Sequence, residues 1–112
     1  AASGYPLLFV LGKYKSSFAA TPEMLDNVTG LQEVPCWMAC AFGPAEGLIM
    51  QSVADLGGHA RVGFENNLVG PDGQLAQDNA SLVRSLADYL HAGRERRPAT
   101  AEEAREILTP GW

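Results

Sequence analysis

Short apolar runs alternate along the chain with segments in which apolar residues recur at helical spacing. The runs lie near residues 7–11, 36–42 and 59–65, and glycines follow the first two. Runs of this length that are bounded by glycine are typical of buried β-strands. The intervening segments carry apolar positions three and four residues apart, which is typical of amphipathic helices. The pattern therefore predicts the element order β-α-β-α-β-α-α.

Capping residues set the expected ends of the helices. A first helix is expected from about residue 21 to residue 28, and a second helix is expected to end at Gly57 in a left-handed conformation. The last helix begins with a predicted capping box, in which Thr100 and Glu103 bond each other's backbone N–H groups. The third helix begins at residue 78 or 79 and has an apolar stripe formed by Leu82, Val83, Leu86, Ala87 and Leu90.

The second apolar run indicates the kind of sheet. Its residues are Cys, Trp, Met, Ala, Cys, Ala and Phe in succession, so both faces of the strand are apolar. A strand buried on both faces suits a parallel sheet beneath helices, whereas a half-solvated antiparallel strand would alternate apolar and polar residues. The fold class is therefore predicted to be α/β with right-handed crossovers. Either an open sheet or part of a barrel satisfies this pattern.

The third run carries charge where the other two are apolar. With a side-chain period of two, Arg61, Gly63 and Glu65 would share one face of the strand, and Gly63 would leave space for a substrate or for the arginine. Buried charges are costly unless they are paired, hydrogen-bonded or bound to a metal. Glu65 and Asn66 would lie at the carboxyl end of the strand, where barrels carry their chemistry. A solvent-facing or structural Arg61–Glu65 ion pair explains the same spacing, so both interpretations stay open.

Composition narrows the class of protein. The chain has 112 residues, of which 46% are hydrophobic and 19% charged, as in one soluble globular domain. Its net charge of −5 gives no electrostatic reason to expect nucleic acid or an anionic membrane as a partner. No apolar run approaches the roughly 20 residues that span a bilayer, and the first residues lack the basic start of a signal peptide. The basic cluster Arg94, Arg96 and Arg97 is interrupted by an acidic residue and is expected on a solvated helix end or loop.

The cysteines and histidines are weaker candidates for a functional site. Cys36 and Cys40, if they lie on one strand, would be roughly 13 Å apart, which is too far for a disulfide. Reduced thiols packed in the core of a cytoplasmic protein are therefore expected, and their spacing does not suit zinc. His59 begins its strand and is expected to be structural. His91 lies near a helix end, where a solvated imidazole compensates the helix dipole.

Residues 57–68, which read GGHARVGFENNL, resemble the signature of the β-keto acid cleavage enzymes. The resemblance extends upstream through residues 9–12, Thr21-Pro22 and the strand that contains Trp37, and downstream through residues 73–83 and 99–108. It therefore covers nearly the whole chain, and its glycine-histidine-arginine run is the specific part. The resemblance implies that residues 1–112 are the C-terminal segment of a TIM (β/α)₈ barrel. The segment would supply about three βα units, the sixth to the eighth, and a closing helix.

The resemblance also implies a chemistry. Enzymes of this family exchange the acyl part of a β-keto acid with acetyl-CoA at a zinc ion, and the products are acetoacetate and a new acyl-CoA. Carried over residue by residue, the metal ligand falls on Glu65, an arginine near the reacting carbonyls falls on Arg61, and an acidic catalytic residue falls on Asn66. A divalent metal polarises a carbonyl as a Lewis acid, and a guanidinium stabilises enolate or carboxylate charge. The resemblance also suggests a homo-oligomer.

Two departures from the family pattern change these expectations. Asn66 carries an amide, which cannot accept a proton at neutral pH, so it cannot serve as a general base. The family's other metal ligands, a histidine pair spaced by one residue on an early strand, do not occur in this sequence. A catalytic zinc usually has three protein ligands. The chain alone is therefore expected to be catalytically incomplete, with the remaining ligands outside residues 1–112.

Two other classes of function fit the sequence. The chain could belong to a non-catalytic binding or structural α/β domain that keeps the ancestral sequence without the chemistry, or to a metal-dependent aldolase or lyase barrel of another family. A His-x-His encoded before Ala1 would argue against the first alternative. Formation of an acyl-CoA product would argue against the second.

Overall fold

The computed structural model describes residues 6–13, 19–27, 36–92 and 96–109. Within these ranges the elements are, in chain order, β1 (Leu7–Leu11), a 3-10 helix (Pro22–Asn27), β2 (Trp37–Ala41), α1 (Glu46–Asp55), β3 (His59–Ala60), α2 (Asn79–His91) and α3 (Ala101–Leu108). The strands form one parallel sheet in the order β1-β2-β3. This arrangement confirms the predicted α/β class and the parallel pairing. The complete eight-unit barrel stays a prediction.

One face of the sheet forms the core with α1 and the 3-10 helix. The register pairs Phe9 with Ala39, so alternate side chains of β1 and β2 point to the same face. Gly58, which follows α1, permits close packing on this face, because a Cβ there would lie 2.5 Å from the Trp37 ring. The cluster of buried apolar residues comprises Leu11, Ala20, Leu25, Trp37, Ala39, Ala41, Ile49, Met50 and Val53.

The opposite face of the sheet is open near β1. Leu8 is 40% exposed and Val10 is 55% exposed, although both are apolar residues inside a strand. Cys40 on the same face of β2 is buried. Exposed apolar residues on a sheet face, beside strand edges with unpaired backbone groups, favour association with another surface.

A polypeptide of residues 1–112 expressed alone is therefore expected to associate. Sedimentation velocity should show species larger than the monomer, and Val10→Lys should reduce their fraction because it places charge on the open face. Leu108→Lys, which alters an exposed apolar residue of α3, is the matched control. A single monomeric species at micromolar concentration for the unaltered chain would contradict this prediction.

The apolar stripe predicted for α2 is only partly covered. Leu82 is buried, whereas Val83 is exposed and the other members are half-buried. The uncovered part lines a groove of about 640 Å³ between α2, β3 and α3. Tyr89 ties α2 to α1, because its hydroxyl donates to Asp55 Oδ2 at 2.6 Å. At the start of the helix, Asp78 accepts a hydrogen bond from the backbone N–H of Ser81 and confirms the predicted cap.

Arginine side chains hold the segment between α2 and α3. Arg96 donates to the carbonyl oxygens of Ala54 at 2.7 Å and Gly58 at 3.2 Å. It therefore satisfies carbonyls at the end of α1, and the prediction of a wholly solvated cluster was wrong for this residue. Arg97 forms two hydrogen bonds to the Glu103 carboxylate, at 2.7 and 2.8 Å. Arg94 lies outside the described residues.

The predicted capping box at α3 is confirmed. Thr100 Oγ1 accepts from the Glu103 N–H, and the Glu103 carboxylate accepts from the Thr100 N–H. The Arg97 guanidinium and the Thr100 backbone together lower the pKa of Glu103 to about 2. The carboxylate stays ionised, so the cap persists over the physiological range of pH.

Thr100→Ala is expected to destabilise α3 by about 1 kcal/mol, because the N–H of Glu103 loses its side-chain acceptor. Amide exchange in residues 101–108 of the full-length protein should be roughly 5-fold faster. Ser52→Ala, which removes an exposed hydroxyl of α1, is the control and should leave α3 unaffected. Equal exchange in Thr100→Ala and the unaltered protein would show that the cap contributes nothing measurable.

Two elements differ from the sequence-based prediction. The helix expected from residue 21 is a 3-10 helix, and its expected end at residue 28 lies outside the described residues. The strand expected over residues 59–65 ends after two residues, at Ala60. By contrast, Gly57 has a φ of +89°, which confirms the left-handed end predicted for α1. None of the described helices is long and apolar enough to cross a membrane.

Candidate functional site

The carboxyl ends of the three parallel strands meet at one edge of the sheet, where the following loops are joined by backbone hydrogen bonds. Ala20 N–H donates to Phe42 O at 2.6 Å, and Gly43 N–H donates to Asn66 O at 3.1 Å. Gly43 has a φ of +108°, and a Cβ there would lie 2.7 Å from the Ala19 Cβ, so this junction requires glycine. The loops that follow β1, β2 and β3 therefore form a continuous surface at this edge.

The chain turns immediately after β3. The backbone N–H groups of Asn66 and Asn67 both donate to Gly63 O at 3.1 Å, which closes a tight turn over residues 63–67. The prediction that Arg61, Gly63 and Glu65 share one face of a continuous strand was therefore wrong. The last ladder contact is the Arg61 N–H, which donates to Ala39 O. Beyond it, the Gly63 carbonyl accepts the two local bonds of the turn instead of continuing the ladder.

Arg61 and Glu65 nevertheless lie side by side at this edge. Arg61 Nη2 is 3.4 Å from Glu65 Oε1, and the two side chains are 51% and 46% exposed. The Glu65 carboxylate lies over Gly63, since a Cβ at that position would be 2.6 Å from Glu65 Oε1. The space left by the glycine is thus filled by this carboxylate. An exposed pair of this kind contributes only about 0–1 kcal/mol, so the carboxylate is available to another cation.

Asn66 follows Glu65 in the chain, and its side chain lies beside Cys40. Its side chain is buried, and its Oδ1 has no hydrogen-bond donor within the described part of the chain. Burial raises the pKa of the Cys40 thiol, and this effect outweighs the lowering by the Arg61 guanidinium and by the Asn66 side chain. Cys40 is therefore a neutral thiol packed against polar groups. A buried acceptor of this kind is expected to bind a donor outside the described residues, either water, a ligand or another part of the protein.

The most unusual residue at this edge is Glu46, which the sequence did not single out. It is the first residue of α1 and is 0% exposed. Its Oε2 accepts from the Gly63 N–H at 3.3 Å, and its Oε1 accepts from Asn67 Nδ2 at 3.2 Å. Burial raises the pKa of Glu46 to about 7, and the nearby Glu65 charge adds to the rise, whereas the Asn67 and Gly63 hydrogen bonds oppose it.

The remaining candidates from the sequence are the two histidines and Cys36. His59 is half-buried in β3, where burial and the Arg96 charge lower the pKa of the imidazole. His91 is in the last turn of α2 and is exposed, in line with the prediction. Cys36 is buried just before β2, and burial raises the pKa of its thiol. These positions fit the structural roles that the sequence suggested.

The fit to a divalent metal is partial. Glu65 offers a half-exposed carboxylate at the carboxyl edge of the strands, and oxygen ligands of this kind suit zinc. Among the described residues, no group of three histidine, cysteine, aspartate or glutamate side chains could hold a metal ion. The described part of the chain therefore does not by itself supply the three ligands that a catalytic zinc usually has.

Comparison with known proteins shows the family to which the chain belongs. The profile of the beta-keto acid cleavage enzyme family matches residues 2–109. A 3-keto-5-aminohexanoate cleavage enzyme from Fusobacterium nucleatum subsp. nucleatum is 33% identical over 102 residues, which are 90% of this chain and 36% of that enzyme. The chain thus spans about a third of the length of the curated relative it matches. With a family match over nearly all of its residues, the chain belongs to the beta-keto acid cleavage enzyme family.

Proposed function

We propose that the protein containing this chain is a metal-dependent β-keto acid cleavage enzyme. In this proposal the chain forms the C-terminal three βα units and closing helix of a (β/α)₈ barrel, and the active site lies at the carboxyl edge of the strands. The observation that carries the proposal is the Arg61–Glu65 pair at that edge, 3.4 Å apart and accessible from solvent. The family match and the 33% identity to a cleavage enzyme support the same chemistry.

The proposed reaction exchanges acyl groups between two substrates. A β-keto acid, R–CO–CH₂–COO⁻, and acetyl-CoA would give the acyl-CoA R–CO–S–CoA and acetoacetate. Two bonds break: the bond between the keto carbon and the adjacent CH₂, and the C–S thioester bond of acetyl-CoA. The CH₂–COO⁻ fragment bonds to the acetyl carbon, and the released CoA thiolate bonds to the acyl group R–CO. Atoms and charge balance without an oxidant or a reductant.

The two exposed side chains of the pair, Glu65 and Arg61, have distinct roles in this proposal. Glu65 would hold a divalent metal, with zinc the expected ion and the other ligands supplied from outside residues 1–112. When bound, the metal supplies Lewis-acid polarisation of a carbonyl. Arg61 would bind the substrate carboxylate or stabilise enolate charge through its guanidinium, which can donate to two oxygens at once.

Asn66 would serve as a hydrogen-bonding residue. Its amide cannot take a proton from substrate, so a general base must come from elsewhere in the protein. Its buried Oδ1, for which the described residues supply no donor, fits a role in accepting a hydrogen bond from a ligand or from the remaining barrel. A homo-oligomer in the cytoplasm is the expected state of the whole enzyme.

The test is an assay of the full-length protein with acetyl-CoA and a panel of β-keto acids. Mass spectrometry should detect acetoacetate and a matching acyl-CoA in equal amounts. A chelator should remove the activity, and zinc should restore it. Cleavage without acyl-CoA would favour an aldolase or lyase. Absence of turnover across the panel, in protein with a full metal content, would contradict the proposed function.

A further inference from the structure

Glu46 is a fully buried carboxyl to which the proposed reaction gives no role. It is 0% exposed at the start of α1, where the helix dipole favours negative charge. A buried carboxylate is costly unless donors surround it. Glu46 has two such donors, the Gly63 N–H and the Asn67 side-chain amide, on a segment 17 and 21 residues further along the chain. Both partners donate, so the contact suits the ionised carboxylate.

The two partners of Glu46 bracket Glu65. Gly63 is two residues before it, and Asn67 is two residues after it. The Asn67 amide is itself fixed, because Oδ1 accepts from the Val69 N–H at 3.0 Å and Nδ2 also donates to Val69 O. One buried carboxylate therefore holds both ends of the turn on which Glu65 stands.

The exposed Arg61–Glu65 pair cannot hold the turn over residues 63–67 in place by itself. Arg61 and Glu65 are about half exposed and 3.4 Å apart, a geometry that contributes little stability. A site needs its functional groups held by a supporting layer of packed and hydrogen-bonded residues. In this structure that layer is the junction between the turn and α1, since Gly43 N–H also donates to Asn66 O at 3.1 Å.

We propose that Glu46 is a positioning residue, which clamps residues 63–67 to the start of α1 and thereby sets where Glu65 and Arg61 stand at the carboxyl edge. The roles of Glu65 and Arg61 in this statement rest on the proposed function. The clamp itself rests on the two hydrogen bonds and on the complete burial of Glu46.

Hydrogen–deuterium exchange of the full-length protein tests the clamp directly. In Glu46→Gln the side chain keeps its size, but its NH₂ group faces one of the two donors. At pH 8 we expect exchange of residues 63–67 to be at least about 10-fold faster than in the unaltered protein, with exchange in α2 unchanged. Glu106→Gln, in an exposed position of α3, is the control and should leave both regions unchanged.

A second variant tests the clamp even if Glu46→Gln fails to fold. Asn67→Ala removes one of the two contacts and retains the buried carboxylate. In Asn67→Ala, amide exchange of residues 63–67 should also be faster than in the unaltered protein, but the increase should be smaller than in Glu46→Gln. Equal exchange in all three proteins over these residues would overturn the clamp, and uniformly faster exchange throughout Glu46→Gln would show a general structural role instead.

Steady-state kinetics of Glu46→Gln test whether Glu46 positions Glu65 and Arg61. With saturating zinc, Glu46→Gln is expected to lower kcat about 10- to 100-fold with KM within about 3-fold, because a small displacement of reacting groups costs rate more than binding. Wild-type protein without cleavage activity would overturn the proposed function and leave the exchange test of the clamp intact. Active wild-type protein with a Glu46→Gln variant that exchanges and turns over normally would overturn the clamp alone.

Discussion

Glu65→Gln in the full-length protein is expected to lower kcat/KM for β-keto acid cleavage at least about 100-fold and to lower the bound metal in parallel. The amide keeps the size of the side chain but loses the charge and one oxygen ligand. Loss of a residue that merely orients a metal ligand costs about 10- to 100-fold, so loss of a ligand should reach at least the upper end of that range. Metal content by mass spectrometry and steady-state kinetics are the measurements.

The control for this variant is Glu106→Gln, which removes a carboxylate from the exposed face of α3. It should retain both metal and activity. The weak Arg61 contact of Glu65 makes the comparison informative, because an exposed pair at 3.4 Å contributes little to folding. A Glu65→Gln protein with normal metal content and turnover would remove Glu65 from the mechanism.

Glu46 is expected to make the protein less stable as pH rises from about 4.5 to about 7. Burial raises the pKa of this carboxyl from 4.5 to about 7 in the folded protein. In that interval the folded state holds a proton that the unfolded state has lost, so unfolding becomes easier with increasing pH. The full effect is on the order of 3 kcal/mol, since each pH unit of difference is worth about 1.4 kcal/mol. Below pH 4.5 both states are protonated, and above pH 7 both are ionised.

Urea unfolding at pH 5 and pH 8 measures this effect. From pH 5 to pH 8, the free energy of unfolding of the wild-type protein should fall by about 2–3 kcal/mol more than that of Glu46→Gln, because glutamine does not titrate. Glu106→Gln should behave as wild type. Parallel pH profiles for wild type and Glu46→Gln would show that Glu46 has its ordinary pKa in the folded protein.

Two opposed effects act on the pKa of Glu46. Burial is the larger and raises the pKa, because it favours the protonated form, whereas the Asn67 and Gly63 donors lower it, because they favour the ionised form. The expected pH dependence of stability follows from the larger effect.

The elements that the sequence predicts well are those with local signals. β1 spans the predicted residues 7–11, because an apolar run closed by Gly12 admits few alternatives. The Thr100–Glu103 capping box and the left-handed Gly57 follow from residue type at a fixed offset, and both are present. Such features depend on contacts within three or four residues, so tertiary context does not override them.

The errors arise where distant residues decide the conformation. A strand over residues 59–65 satisfied the period of two, yet the strand ends at Ala60. Residues 63–67 form a turn instead, and this turn contacts the distant Glu46, 17 and 21 residues earlier in the chain, through the Gly63 N–H and the Asn67 side chain. Arg96 belongs to a basic cluster whose composition predicted solvation. Its guanidinium instead donates to backbone carbonyls at and just after the end of α1, 38 and 42 residues earlier in the chain. Neither contact has a signal in the neighbouring sequence.

Glu46 was missed for a related reason. An acidic residue in the first turn of a helix is common, since it compensates the dipole on the surface, and nothing in residues 43–47 separates a surface acid from a buried one. The position offered one clue: Glu46 follows closely after a strand buried on both faces, at the carboxyl edge of a parallel sheet. Its burial depends on Asn67, which approaches from beyond β3.

A crystal structure of the full-length zinc-loaded protein, with the metal located by anomalous scattering, decides whether Glu65 is a metal ligand. We expect a Glu65 carboxylate oxygen about 2.0–2.2 Å from the ion, with Arg61 beside the substrate pocket and the remaining ligands contributed from outside residues 1–112. An ion bound entirely by other residues, with the Glu65 carboxylate directed to bulk water, would contradict it.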